Sequence, residues 1–154
     1  MVEAAHLYEA VLANAGLPLD SMLDLAILYW QATDFGFSAT EGLPKEFFQH
    51  AGVRYREILG LTLERFPGST GARFWAKYTA WVDVSAPLDE ADCVALLRED
   101  PNDLSPVLFL YSQDGQYGQE AEALLRECKN RNTFRSRYTA SVIEGVKFRA
   151  TGRK

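Results

Sequence analysis

The sequence predicts an all-α fold: about eight helices forming four antiparallel hairpins, in a helical-repeat-like stack or a compact bundle. Three observations carry that expectation. Apolar residues recur at helical spacing along most of the chain. Gly, Pro and Ser/Thr/Asp punctuation falls between those stretches. No stretch alternates with period two between turn signals on both sides. At 154 residues, 47% apolar and 24% charged, the chain has the size and mix of one well-cored domain. We assign that domain to residues 1–150, with 151–154 as a frayed basic tail.

The first helix is expected from Glu3 to Ala15, with Leu7, Tyr8, Val11, Leu12 and Ala15 on its core face and Gly16-Leu17-Pro18 as its stop. The second opens at Ser21, with Asp24 as a capping-box-like acid, and runs to Thr33. Only Asp24 and Gln31 are strongly polar on it, and a helix apolar nearly all round belongs inside. "DFGFSATEGLP", Asp34 to Pro44, reads as the longest irregular loop. Pro44 suits the first turn of the third helix, which runs to Arg65, and Phe47, Phe48, Ala51, Tyr55, Ile58, Leu59, Leu63 and Phe66 span a broad apolar arc on it. Gly52 and Gly60 each weaken it by about 1 kcal/mol relative to Ala, and mark close packing or a bend.

"FPGST" is a stop and then a start. Pro67 and Gly68 end the third helix, and Ser69 or Thr70 caps the fourth. On the fourth helix Phe74, Trp75, Tyr78, Trp81 and Val82 share one arc, Arg73 and Lys77 lie to one side, and Ala76 and Ala80 lie opposite. Four rings exposed together would invite aggregation, so the arc reads as core. Arg73 and Lys77 are then the part of this helix most available to a partner. The fifth helix spans Leu88 to Glu99, and the sixth opens at Ser105-Pro106 and ends at Asp114-Gly115. The seventh covers Gly118 to Lys129, and the eighth Thr133 to Ala150. The hairpins pair as 3–33, 44–83, 88–113 and 117–150, with starts too irregular for a strict repeat.

The stretch "YREILGLTLERFPGSTGARFWAKYTAWV" has a long helix, a Pro-containing turn and an aromatic, alanine-containing second helix. In this outline the chain resembles tetratricopeptide-type helical-hairpin proteins. The family's W-x-x-L-G-x-x-Y pattern and 34-residue period are absent, so the resemblance is one of architecture. It implies a scaffold that binds partners.

Searching the sequence for chemistry leaves little. His6 and His50 lack HxxxH or HExxH spacing and read as surface histidines. "PGSTG" has no Gly-Lys-Ser/Thr and reads as a cap rather than a phosphate loop. "DEAD", Asp89 to Asp92, puts acids in the first turn of a helix, where the dipole favours them. Cys93 and Cys128 lack CxxC spacing and read as buried single thiols. No metal and no cofactor is expected. "LAILYWQAT" and "LSPVLFLYSQ", two long charge-free runs, are about half the roughly 20 residues of a membrane helix. The start lacks a basic n-region, and a cytoplasmic location is the expectation.

Charge is lopsided. Residues 1–125 hold 7 Lys/Arg against 19 Asp/Glu, while residues 126–154 hold 9 against 2. The basic segment reads as an internal salt-bridging face; nucleic acid is disfavoured because the remainder would repel a polyanion. The acidic part reads as a surface that steers a basic partner. Its candidate contacts are Asp34, Glu41, Asp83, Asp89, Glu90, Asp92, Asp100 and Asp103, with Arg73 and Lys77 as a small basic ridge. The functional expectation is a non-catalytic protein-binding domain, in its sharpest form an immunity protein that neutralises a basic toxin domain. The alternatives are a peptide-binding helical-repeat adaptor, and an enzyme or ligand-binding regulator with an acidic helical pocket.

Overall fold

The charge-free runs at 25–33 and 104–113 lie on the hubs of two groups of helices. The computed structural model describes residues 1–152, which contain nine α-helices and no strand. By its contacts the chain divides into two compact units, Met1–Ala72 and the residues from Arg73 on.

The first unit holds α1 (Val2–Asn14), α2 (Leu19–Ala32), α3 (Phe35–Thr40) and α4 (Lys45–Arg65). Helix α2 touches the other three and packs most extensively on α4. It buries every residue from Met22 to Trp30, as its nearly all-round apolar surface requires. Each large side chain placed there contributes roughly 1.5–3 kcal/mol. Asp24 is drawn inside with them, only 7% exposed. Helix α2 starts earlier than expected, with extended Pro18 at the cap and Leu17 buried just before it, so Ser21 and Asp24 lie within the helix and not at its start.

Helix α1 departs from its sequence pattern. Its one fully buried residue is Ala5, while Leu7 and Val11 are 66% and 48% exposed. A polar clamp accounts for this rotation. The Glu9 carboxylate takes hydrogen bonds from Arg54 Nε at 2.7 Å and Nη2 at 2.8 Å, and from the Tyr29 hydroxyl at 3.0 Å. Bidentate pairing of this kind is strong and directional. It turns the Ala5–Glu9 sector toward α2 and α4, which leaves Leu7 and Val11 outside.

The Arg54 guanidinium holds the Glu9 carboxyl below its ordinary range, against the opposing effect of burial. A lowered folded-state pKa gives stability that is present above the unfolded value, about 4.3. That stability is lost as pH falls through the lowered value. Glu9→Gln is expected to cost about 1–2 kcal/mol at pH 7 and to flatten the acid limb of stability against pH. Urea melts from pH 7 to pH 3 check this, and an unchanged acid limb would contradict it.

The stretch expected to be a loop contains α3. Asp34 caps it by accepting from the Phe37 N–H at 2.8 Å, and the Ser38 hydroxyl, buried, donates to the Ala32 carbonyl at 2.5 Å. Helix α4 follows Pro44 and buries Ala51, Tyr55, Ile58, Leu59 and Thr62, while Phe47, Phe48, Leu63 and Phe66 of the expected arc, which lie toward its ends, are half-buried. Its glycines do not mark close packing. A Cβ at Gly60 would meet no atom within 4 Å, and one at Gly52 would meet Thr33 at 4.0 Å. Gly60→Ala is accordingly expected to stabilise the chain by about 0.5–1 kcal/mol, read as a higher urea midpoint at unchanged slope.

The second unit holds nearly all of α5 (Thr70–Val84), then α6 (Glu90–Glu99), α7 (Val107–Asp114), α8 (Gly118–Asn130) and α9 (Phe134–Thr151). Helix α7 touches α6, α8 and α9, and buries Val107 to Leu110. Most of the apolar arc of α5 is core, as its pattern predicts: Phe74, Trp75 and Tyr78 are at most 3% exposed, while Trp81 is half-buried and Val82, near the end of the helix, is 46% exposed. Trp81 meets Phe109 of α7 edge-on at 5.2 Å, and the Tyr78 hydroxyl lies 2.9 Å from that of Tyr138 on α9. The Trp75 indole N–H is buried without an acceptor among the described residues.

The ends of the helices show their causes. Of the two candidate caps of α5, Ser69 takes the role, accepting from Ala72 N–H at 3.0 Å. Helix α7 begins at Val107 with Pro106 at its cap, one residue later than expected, and the Ser105 N–H donates to the Asp103 carboxylate at 3.0 Å. Gly115 ends α7 in the left-handed region at φ 78°. Thr133 and Ser136 form a reciprocal capping box on α9. That helix continues through Thr151 with Gly152 at its cap. Of the residues expected to be a tail, Arg153 and Lys154 lie outside the described residues. Cys93 and Cys128 are free and buried, and burial pushes the Cys93 thiol up to about 12.

Candidate partner-binding surface

Arg73 and Lys77 stand one turn apart on α5 and both reach α6. Arg73 pairs with Glu99, and Lys77 Nζ lies 2.8 Å from Asp92. The earlier residue of α5 meets the later one of α6, which makes the two helices antiparallel. Arg73 holds the Glu99 carboxyl below its usual range, and Lys77 does the same for Asp92. Exposed pairs of this kind add little to stability. Their consequence is electrostatic: the basic ridge is neutralised where it stands.

The remaining acids gather at the two ends of α6. At its start Asp89 is the cap, accepting from the Asp92 N–H at 2.8 Å. Glu90 follows, exposed, with no hydrogen bond or ion pair among the described residues. At its end Asp100 accepts from the Asn102 N–H at 3.1 Å, and Asp103 holds Ser105. A helix of 10 residues separates these groups by about 15 Å. Asp83, also exposed, lies in the last turn of α5. Residues 73–103 hold seven acids against Arg73, Lys77 and Arg98, a net of −4.

Asp34 and Glu41 belong to the first unit. They sit at the two ends of α3, both exposed, with Asp34 occupied as its cap. Sequence reasoning missed Glu99 as a member of the surface. It lies seven residues after Asp92, two helical turns on, and so presents the same face of α6.

The basic segment carries internal pairs. Lys129 on α8 lies 3.0 Å from Glu144 on α9, and Lys147 on α9 pairs with Glu122 on α8. The Arg137 guanidinium lies over the Phe134 ring at 4.4 Å. His6 and His50 are exposed, with His50 edge-on to Tyr29 at 5.7 Å. Among the described residues no three His, Cys, Asp or Glu side chains are grouped to hold a metal ion. Comparison with known proteins finds no family model, no curated protein and no solved structure that matches the chain.

Proposed function

We propose that this chain is a non-catalytic, cytoplasmic protein-binding domain, and most concretely an immunity protein that binds and neutralises a basic toxin domain. One observation carries this reading: three of the acids that flank α6 are held at fixed positions, while Arg73 and Lys77 are taken up in ion pairs and Arg98 is the remaining nearby cation. Asp89, Asp100 and Asp103 each accept a backbone N–H, so their carboxylates do not swing freely. A preorganised acidic face costs less ordering on binding than a flexible one. It also speeds encounter with a basic partner.

The test is co-expression with the product of the adjacent gene, followed by pull-down and a growth assay. The reading expects a stoichiometric complex and protection of the cell by this chain. A neighbour that is neither bound nor toxic without the chain would refute it.

A further inference from the structure

Helix α1 is fastened by charge more than by apolar packing. Ala5 is its one fully buried residue, Leu7 and Val11 face out, and Val2, Tyr8 and Leu12 are half-buried. The Glu9 carboxylate reaches two helices at once, accepting from the Tyr29 hydroxyl of α2 and the Arg54 guanidinium of α4. We propose that α1 is a releasable arm, latched by Glu9 and opened by protonation of that carboxylate while α2 and α4 stay packed on each other.

Release strands no charge. Arg54 is shared between Glu9 and Glu57, one turn further along α4, whose carboxylate lies 2.8 Å from Nη1. That second pair remains when Glu9 departs, so the guanidinium keeps a partner. The Tyr29 hydroxyl exchanges Glu9 for water, at little cost. The hinge is built in as well. Gly16 turns the chain at φ 75°, between the end of α1 and the buried Leu17 that anchors the start of α2. Helix α1 has no side-chain cap at its start and no basic residue in its last turn. A helix of 13 residues with so little support of its own is marginal once detached.

The groups that face Glu9 set the direction of the switch. They are Tyr29 from α2, and Arg54, with Glu57 behind it, and His50 from α4; the His50 ring stands edge-on to Tyr29 at 5.7 Å. Arg54 favours the ionised carboxylate most, burial opposes it, and Tyr29 and His50 add to the effect of Arg54. The carboxyl is thereby held below the ordinary glutamate range, so the latch is closed above that range, about 4.3. It weakens as pH falls through the lowered value, by up to about tenfold per pH unit.

Amide hydrogen exchange of the full chain, corrected for intrinsic rates, tests this. At pH 7 the amides of α1 are expected to exchange at least about tenfold faster than the slowest of α2, through an opening that responds little to about 1 M urea. That opening should rise as pH is lowered from about 5 to 3. Glu9→Gln should raise it about tenfold at pH 7 and remove most of the pH response. Tyr29→Phe, which keeps the charge pair, should raise it about threefold and keep the pH response. Equal protection and equal urea response in α1 and α2 would show that α1 opens only with its whole unit, and would overturn the proposal. So would an α1 opening that ignores pH in the wild type, or one that Glu9→Gln leaves unmoved.

Discussion

Phe74→Ala is expected to cost about 3–5 kcal/mol, a large share of the 5–15 kcal/mol typical of a folded domain. Phe74 is fully buried, with its ring 5.5 Å from Trp75 and 5.4 Å from Tyr78. Removing it leaves a hole among rings that are themselves held: Tyr78 by the hydroxyl contact to Tyr138, and Trp81 by its edge contact to Phe109. Neighbours so restrained cannot collapse into the space, which puts the cost at the upper end for a ring deletion. Urea unfolding followed by tryptophan fluorescence measures it, with Phe148→Ala as the control. Phe148 is 79% exposed, and its loss should change stability by no more than about 0.5 kcal/mol. A Phe74→Ala cost below about 1 kcal/mol would show that the rings do not form the core of the second unit.

That core was legible in the sequence because it rests on helical period alone. Phe74, Trp75, Tyr78 and Trp81 fall on one arc whatever α5 packs against, and four rings together have one stable place to go. The same rule failed on α1. Leu7 and Val11 have the right period, yet the pairing of Glu9 with Arg54, 45 residues away, sets the rotation of the helix. A tertiary ion pair leaves no local trace. Helix α3 was hidden by Gly36 and Gly42, which read as loop signals, although Asp34 at its cap was a usable sign. Ser105 was read as the cap of α7, a place that Pro106, one residue later, holds.

The candidate surface was legible in part for the same reasons. Acids that cannot be core were placed outside, and Asp34, Asp83, Asp89 and Glu90 are exposed. The fate of Arg73 and Lys77 was not legible. Their spacing put them together on α5, but only the antiparallel register of α5 and α6 brings Glu99 and Asp92 opposite them. What had looked like the accessible ridge proves to be paired with Glu99 and Asp92, and the acids at the ends of α6 stand outside those two pairs.

The second large effect is on binding. The fourfold variant Asp83→Asn, Glu90→Gln, Asp100→Asn and Asp103→Asn takes residues 73–103 from −4 to zero. Each replacement keeps a carbonyl oxygen as acceptor, so the Asn102 and Ser105 N–H groups remain satisfied. The fold is expected to survive with little change in urea midpoint. Association with the basic partner should slow by about 10–100-fold at low salt, while dissociation changes less. Surface plasmon resonance on the variant and the wild type separates the two rates. An unchanged association rate in a folded variant would remove the acidic surface from the account.

The most direct test of the central claim is the association rate of the wild-type chain with the adjacent gene product, measured as salt rises from about 10 to 500 mM. Steering by a preorganised acidic face predicts a steep fall, about tenfold or more across that range, and a fourfold variant whose rate hardly responds. A wild-type rate that stays flat across the same range would contradict it.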